Sequence, residues 1–139
     1  MKVLVLNGPN LNMLGKRPKE HYGTKTLEEI NDLMVKEEPF DYDFFQSNCE
    51  GRIVTKIQEA VLKDYDAIII NPGAYTHTSV AIHDALEMFS GIKIEVHLSN
   101  VDDREDFRKI NFVRDVCDMT FSGKKEESYL EAVRYLKNK

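Results

Sequence analysis

The sequence predicts an α/β fold: a flavodoxin-like, doubly wound sheet of five parallel strands in the order 2-1-3-4-5, with helices on both faces. Three observations lead there. Short runs of apolar and β-branched residues alternate from end to end with segments whose apolar residues recur at helical spacing. The most strand-like run, AIIIN at Ala67–Asn71, is apolar until its last residue, the pattern of a strand buried on both faces. At 139 residues the chain is the size of one ordinary domain, so a single domain over residues 1–139 is expected, without repeat, low-complexity tract or linker.

Taken in order, Val3–Asn7 is a compact apolar run before a Gly-Pro pair and reads as the first strand. After a polar loop, Leu27, Ile30, Leu33 and Met34 mark a helix over Thr26–Glu37. Thr24 or Thr26 suits its N-cap, and Glu28 and Glu29 sit in the electropositive first turn. Tyr42–Gln46 is a second strand, and Ile53, Ile57, Ala60 and Val61 mark a second amphipathic helix. A Pro-Gly pair ends the third strand, and Ser79–Phe89 is helical again. Ile92–Leu98 reads as the fourth strand, Arg104–Ile110 as a short helix and Met119–Ser122 as the fifth strand. Leu130, Val133 and Leu136 form the stripe of a last helix over Glu126–Lys137. The crossovers between parallel strands should be right-handed.

Composition narrows the function classes. Hydrophobic residues make up 42% and charged residues 31%, enough for a packed interior under a solvated surface. The 19 basic and 24 acidic side chains leave a formal charge of −5, so a nucleic-acid partner is not expected, and an anion must be met by a few local cations. Cys49 and Cys117 form no CxxC pair, which fits a reducing compartment. With no signal-peptide pattern and no apolar run of the roughly 20 residues that span a bilayer, a soluble cytoplasmic protein without a membrane partner is expected.

In open α/β sheets, ligands bind beyond the carboxyl ends of the strands, near the switch between strands 1 and 3. Those ends read Asn7-Gly8-Pro9-Asn10-Leu11-Asn12, Asn71-Pro72-Gly73-Ala74-Tyr75-Thr76-His77 and His97-Leu98-Ser99-Asn100. The first turn matches neither GxGxxG nor GxxxxGK[ST], so tight closure over a pyrophosphate is not indicated, although a flavin bound without a sharp motif stays open. A phospho-receiver needs carboxylates where this chain has Asn7 and Asn71. His21, His77, His83 and His97 carry no HExxH spacing, which speaks against a metal centre.

Acid–base chemistry has two footholds. Arg17 precedes Tyr22 by five positions in the loop MLGKRPKEHYG. A phenol is a poor base at neutral pH, but one guanidinium at about 4 Å contributes roughly 4 kcal/mol at an effective dielectric near 20, about three pKa units. The loop fits equally a surface segment in which the tyrosine ring simply packs. Glu95 and His97 lie two apart on a strand and share a face, where a carboxylate orients an imidazole and favours its charged form. They also fit a satisfied histidine at a sheet rim. Thr76-His77-Thr78-Ser79 fits a helix N-cap at Thr78 or Ser79 as well as a binding turn.

Together the segments LNGPNLNMLG, R-P-x-x-H-Y-G, FFQSNCEG, INPGAYTHTSVAIHDAL and EVHLSNVDDREDFR, in this order over roughly the first four-fifths of the chain, resemble the type II 3-dehydroquinate dehydratases (type II dehydroquinases). The resemblance implies a single catalytic domain that dehydrates 3-dehydroquinate to 3-dehydroshikimate through an enolate. It implies no metal, nicotinamide or Schiff base. The pathway would be that of shikimate, which feeds aromatic amino acid biosynthesis, or of quinate. It further implies Tyr22 as a tyrosinate base, Arg17 as the cation that ionises it, Asn10 as the enolate stabiliser through a water, and His97 as the general acid, supported by Glu95. Asn71, His77, Leu98, Ser99 and Arg108 would bind substrate, with the carboxylate at Leu98 and Ser99. Asp84 would reach the site of a neighbouring subunit in a homo-oligomer, a dodecamer of four trimers. Two features depart from the family pattern: Cys49 stands where many members have histidine, and the stretch after Arg108 lacks the usual H-S-Y segment and glycine-rich approach to the last helix.

Overall fold

The alternating pattern becomes one parallel sheet. In a computed structural model that describes residues 1–139, β1 (Lys2–Asn7) lies between β2 (Asp41–Gln46) and β3 (Ala67–Asn71), followed by β4 (Ile92–His97) and β5 (Met119–Ser122). The order is 2-1-3-4-5, as the sequence predicts. Between the strands run α1 (Lys19–Tyr22), α2 (Leu27–Glu37), α3 (Glu50–Leu62) and α4 (Val80–Glu87), and α5 (Glu126–Lys137) closes the chain.

Period-two alternation divides the interior between the two faces. Val3, Val5, Ile69, Ile94 and Val96 pack with Ile30 and Met34 of α2 and Tyr129, Val133 and Leu136 of α5. Leu4, Leu6, Ile68 and Ile70 pack on the other face with Ile53 and Ile57 of α3 and Ile82 and Leu86 of α4. Burial of both faces is why β3 carries no polar residue before Asn71. No helix is long and apolar enough to cross a membrane.

Capping settles two choices that the sequence left open. Thr26, not Thr24, starts α2: its hydroxyl accepts from the Glu29 amide at 3.2 Å while the Glu29 carboxylate accepts from the Thr26 amide at 3.0 Å. Ser79, not Thr78, caps α4, accepting from the Ile82 amide at 2.9 Å. The helix expected over Arg104–Ile110 does not form. Single 3-10 turns at Val101–Asp103 and Asp106–Lys109 flank an extended Arg104–Glu105. The segment is too short to hold a helix by itself, and burial of Val101 and the pull of Arg104 toward Tyr22 dictate its path instead.

The turns after β1 and β3 pack directly on each other. A Cβ on Gly8 would lie 2.3 Å from the Pro72 carbonyl oxygen, and Gly73, at φ +62°, faces the Pro9 carbonyl. Only glycine allows both turns to sit this close. Together they form the floor of the cleft at the switch point.

Candidate active site

That cleft holds about 100 Å³ of space and opens at the carboxyl ends of the strands, where ligands of such sheets bind. Asn10 comes from the turn after β1, Asn71, Gly73 and His77 from the end of β3, and His97, Leu98 and Ser99 from the end of β4. Arg17 and Tyr22 enter from the α1 loop, and Arg104 and Arg108 from the 3-10 segment. No carboxylate lines it, whereas three arginines do. In a chain of net charge −5 this is a local cationic basin, suited to a small anion.

Tyr22 sits at its centre of charge. Its hydroxyl accepts from Arg17 Nη2 at 2.8 Å and from Arg104 Nη1 at 2.7 Å. The Arg17 guanidinium also lies 3.7 Å from the centre of the Tyr22 ring. Burial, opposed by Tyr22 and reinforced by the nearby Arg104 and Arg108, lowers the Arg17 pKa from its usual range. Pro18 lets this approach happen: it starts the single turn of α1, where its carbonyl accepts from the His21 and Tyr22 amides and brings the phenol back under Arg17. Arg104 Nη1 also reaches the Ser99 hydroxyl at 3.4 Å, and its Nε is buried without a hydrogen bond, 4.0 Å from Glu105 Oε1. A buried guanidinium N–H that makes no hydrogen bond, beside a cleft lined by no carboxylate, can still donate to an anionic ligand.

Across the cleft, Glu95 and His97 both lie buried on β4. His97 Nε2–H donates to Glu95 Oε2 at 2.7 Å, which leaves Nδ1 as the ring nitrogen without a protein partner. Burial pushes the Glu95 carboxyl up, but the hydrogen bond and charge of His97, with donors from Asn111 and Thr120, outweigh it and hold the group at about 2. His77 is fixed by its Nδ1–H, which donates to the Ile110 carbonyl at 2.7 Å, and burial lowers its pKa.

Asn71 is tied into the scaffold. Its amide donates to the Tyr129 hydroxyl at 2.9 Å and accepts from the Gly73 amide at 3.1 Å. Tyr129 in turn donates to Asn7 Oδ1. This buried triad clamps the ends of β1 and β3 to α5. Asn10 has a left-handed backbone, φ 69°, and its amide donates to Asn48 Oδ1 at 3.0 Å. Arg108 Nε pairs with Glu105 at 2.6 Å.

Of the residues singled out in the sequence, Asn10, Arg17, Tyr22, Asn71, His77, His97, Leu98, Ser99 and Arg108 meet in the one cleft, with Glu95 directly behind His97. Asp84 does not: it is exposed on α4, where His83 Nδ1 lies 2.9 Å from its Oδ1. Sequence reasoning passed over Arg104, although it stands one residue before Glu105 in the same DDREDFR run as Arg108. As one helix, that run would have put Arg104 and Arg108 a turn apart on one face. The real path is extended at Arg104, so only the fold sends its side chain to Tyr22.

The model of the dehydroquinase class II family matches residues 1–137. The chain belongs to the class II dehydroquinases. Its sequence is 48% identical to a 3-dehydroquinate dehydratase of Clostridium beijerinckii, over 100% of this chain and 97% of the relative. It is 45% identical to one from Thermotoga maritima, over 100% and 96%. A type II dehydroquinase structure from Butyrivibrio crossotus superposes with a TM-score of 0.94 at 46% identity, covering 99% of this chain and 97% of that one. The chain is accordingly an enzyme of a dehydratase (hydro-lyase) family, and its doubly wound sheet is the fold of that family.

Proposed function

We propose that this dehydroquinase converts 3-dehydroquinate to 3-dehydroshikimate through an enolate, with Tyr22 as the base and His97 as the general acid. The observation that carries the reading is the pair of guanidinium hydrogen bonds, 2.8 and 2.7 Å long, that converge on the Tyr22 oxygen. Two cationic donors meet on one hydroxyl oxygen in a cleft that no carboxylate lines, a setting suited to a group that accepts a proton. Tyr22 takes the C2 proton next to the ketone. The electron pair becomes the enolate, whose oxygen is stabilised by Asn10 through a water.

The enolate then reforms the carbonyl and expels the C1 hydroxyl. His97, held from behind through Nε2, gives up the proton on Nδ1, and the hydroxyl leaves as water. The proton left on Tyr22 returns to His97 through solvent, which resets both groups. The substrate carboxylate binds at Leu98 and Ser99, beside Arg104, while His77, Asn71 and Arg108 hold the ring hydroxyls. The reaction needs no cofactor of its own, because the neighbouring ketone already acidifies C2.

The same reading extends to context. The chain would work in the cytoplasm, in the shikimate pathway or in quinate breakdown, and the two free cysteines support a reducing compartment. It would assemble as trimers, four to a dodecamer, with Asp84 of one subunit reaching the cleft of the next. Exposed Phe107 and Ile110, which flank the cleft residue Arg108, and exposed Val80 at the start of α4 support such self-association. The test is direct: purified protein mixed with 3-dehydroquinate should produce the ultraviolet absorbance of the conjugated product. Absence of that signal would refute the reading, and a monomer in sedimentation would refute the assembly alone.

A further inference from the structure

Glu95 is fully buried, yet His97 is only one of several groups bound to its carboxylate. Oε2 accepts from His97 Nε2 at 2.7 Å, Asn111 Nδ2 at 2.8 Å and Thr76 Oγ1 at 3.2 Å. Oε1 accepts from Thr120 Oγ1 at 2.9 Å and lies 3.5 Å from Arg114 Nε. A carboxylate offers about four lone-pair sites, so this one is saturated.

We propose that Asn111 and Thr120 are positioning residues for the dehydration: they lock the Glu95 carboxylate in the rotation that keeps His97 aimed at the leaving hydroxyl. The terminal torsion of glutamate is broad and roughly two-fold, so one imidazole contact does not fix the plane of the group. Donors on both oxygens do. Asn111 is itself rigidly held, since its Oδ1 accepts from the amides of Val113 at 2.8 Å and Arg114 at 2.9 Å. The neighbouring Phe112 amide donates to the Thr76 carbonyl at 2.8 Å, so two of the donors are braced against each other. Thr120 stands directly opposite Glu95 in the β4–β5 register. Neither Asn111 nor Thr120 lines the cleft, so each reaches the chemistry only through Glu95.

The inference rests on the dehydratase reading, and it singles out one step. Proton removal by Tyr22 should not depend on these residues, whereas loss of the hydroxyl, which needs His97, should. The experiment follows both steps in one sample: exchange of the C2 hydrogen of 3-dehydroquinate in heavy water by NMR, and product formation by ultraviolet absorbance. Thr120→Val keeps the shape and removes the hydroxyl. It and Asn111→Ala should each lower kcat by about tenfold, a fraction of a general acid's full contribution. KM should stay within about threefold, and C2 exchange should stay within about twofold. Thr120→Ser, which restores the donor, should recover kcat to within about threefold of the parent enzyme.

Equal loss of exchange and dehydration, or failure of Thr120→Ser to recover activity lost in Thr120→Val, would overturn the proposal by showing a merely structural role. Unchanged kcat in both variants would overturn it too. A parent enzyme that never converts 3-dehydroquinate would bring down the dehydratase reading and this one with it. Conversion by the parent with unaffected variants would sink this inference alone.

Discussion

The two halves of the cleft hold their reactive groups by opposite means. On one side the Tyr22 oxygen is gripped by two long arginine side chains, one from the loop before α1 and one from the segment after β4. On the other, His97 stands on a strand against a buried carboxylate that is itself bound by side chains from three further segments. The half on loops can adjust around an entering substrate at little cost, because it owes its geometry to flexible chains. The half on the sheet cannot, because His97 and Thr120 stand on strands and Asn111 is itself held by two backbone amides. A proposed base that must meet a carbon acid in the right pose, and an acid that must keep one fixed direction, suit these two supports.

The comparison is best broken at its centre. Tyr22→Phe keeps the ring beneath Arg17 and removes only the oxygen, so kcat should fall by about a thousandfold in the absorbance assay. Activity near that of the parent would remove Tyr22 as the base. On the sheet side, the carboxyl of Glu95 is held at about 2 against an ordinary 4.5. A carboxyl lowered on folding contributes stability above about pH 4.5, and that contribution fades as pH falls toward 2. It amounts to about 3 kcal/mol. Urea unfolding between pH 6 and pH 2 should therefore find the parent losing about 3 kcal/mol more than Glu95→Gln, which has no proton to gain. Parallel curves would mean that the buried network does not hold the charge.

The loop side divides between its two arginines. Arg17→Ala and Arg104→Ala should each lower kcat by about tenfold or more, and the double variant should lose less than the product of the two, since both act on one oxygen. Strict additivity would mean that they serve different groups. The smallest effect lies outside both halves: Thr26→Ala removes the N-cap of α2 and should cost about 1 kcal/mol of stability with kcat unchanged.

How much of this was legible in the chain depends on periodicity. Each strand and each long helix was readable, because the two burial patterns repeat over several residues and leave a signal in the apolar positions. The Glu95–His97 pair was readable for the same reason, since residues two apart on a strand share a face. Between β4 and β5 no period survives. Short 3-10 turns follow neither template, and the helix expected there is absent. Arg104, Asn111 and Arg114 are all drawn from this stretch. Their partners are distant in sequence: Tyr22 is 82 positions from Arg104, and Glu95 is 16 from Asn111. Tyr129 and Asn7, 122 positions apart, left no mark in the sequence that they would meet.

By itself, then, the order of residues determined the parallel sheet, its faces, and the strand ends at which polar side chains would collect. Those follow from local backbone geometry and from which side of a strand or helix must leave water. Only the tertiary structure decided that two guanidiniums would share one phenol oxygen and that a single carboxylate would gather donors from across the sheet. Such groups are brought together by the packing of whole elements and not by spacing along the chain, so no short-range pattern records them.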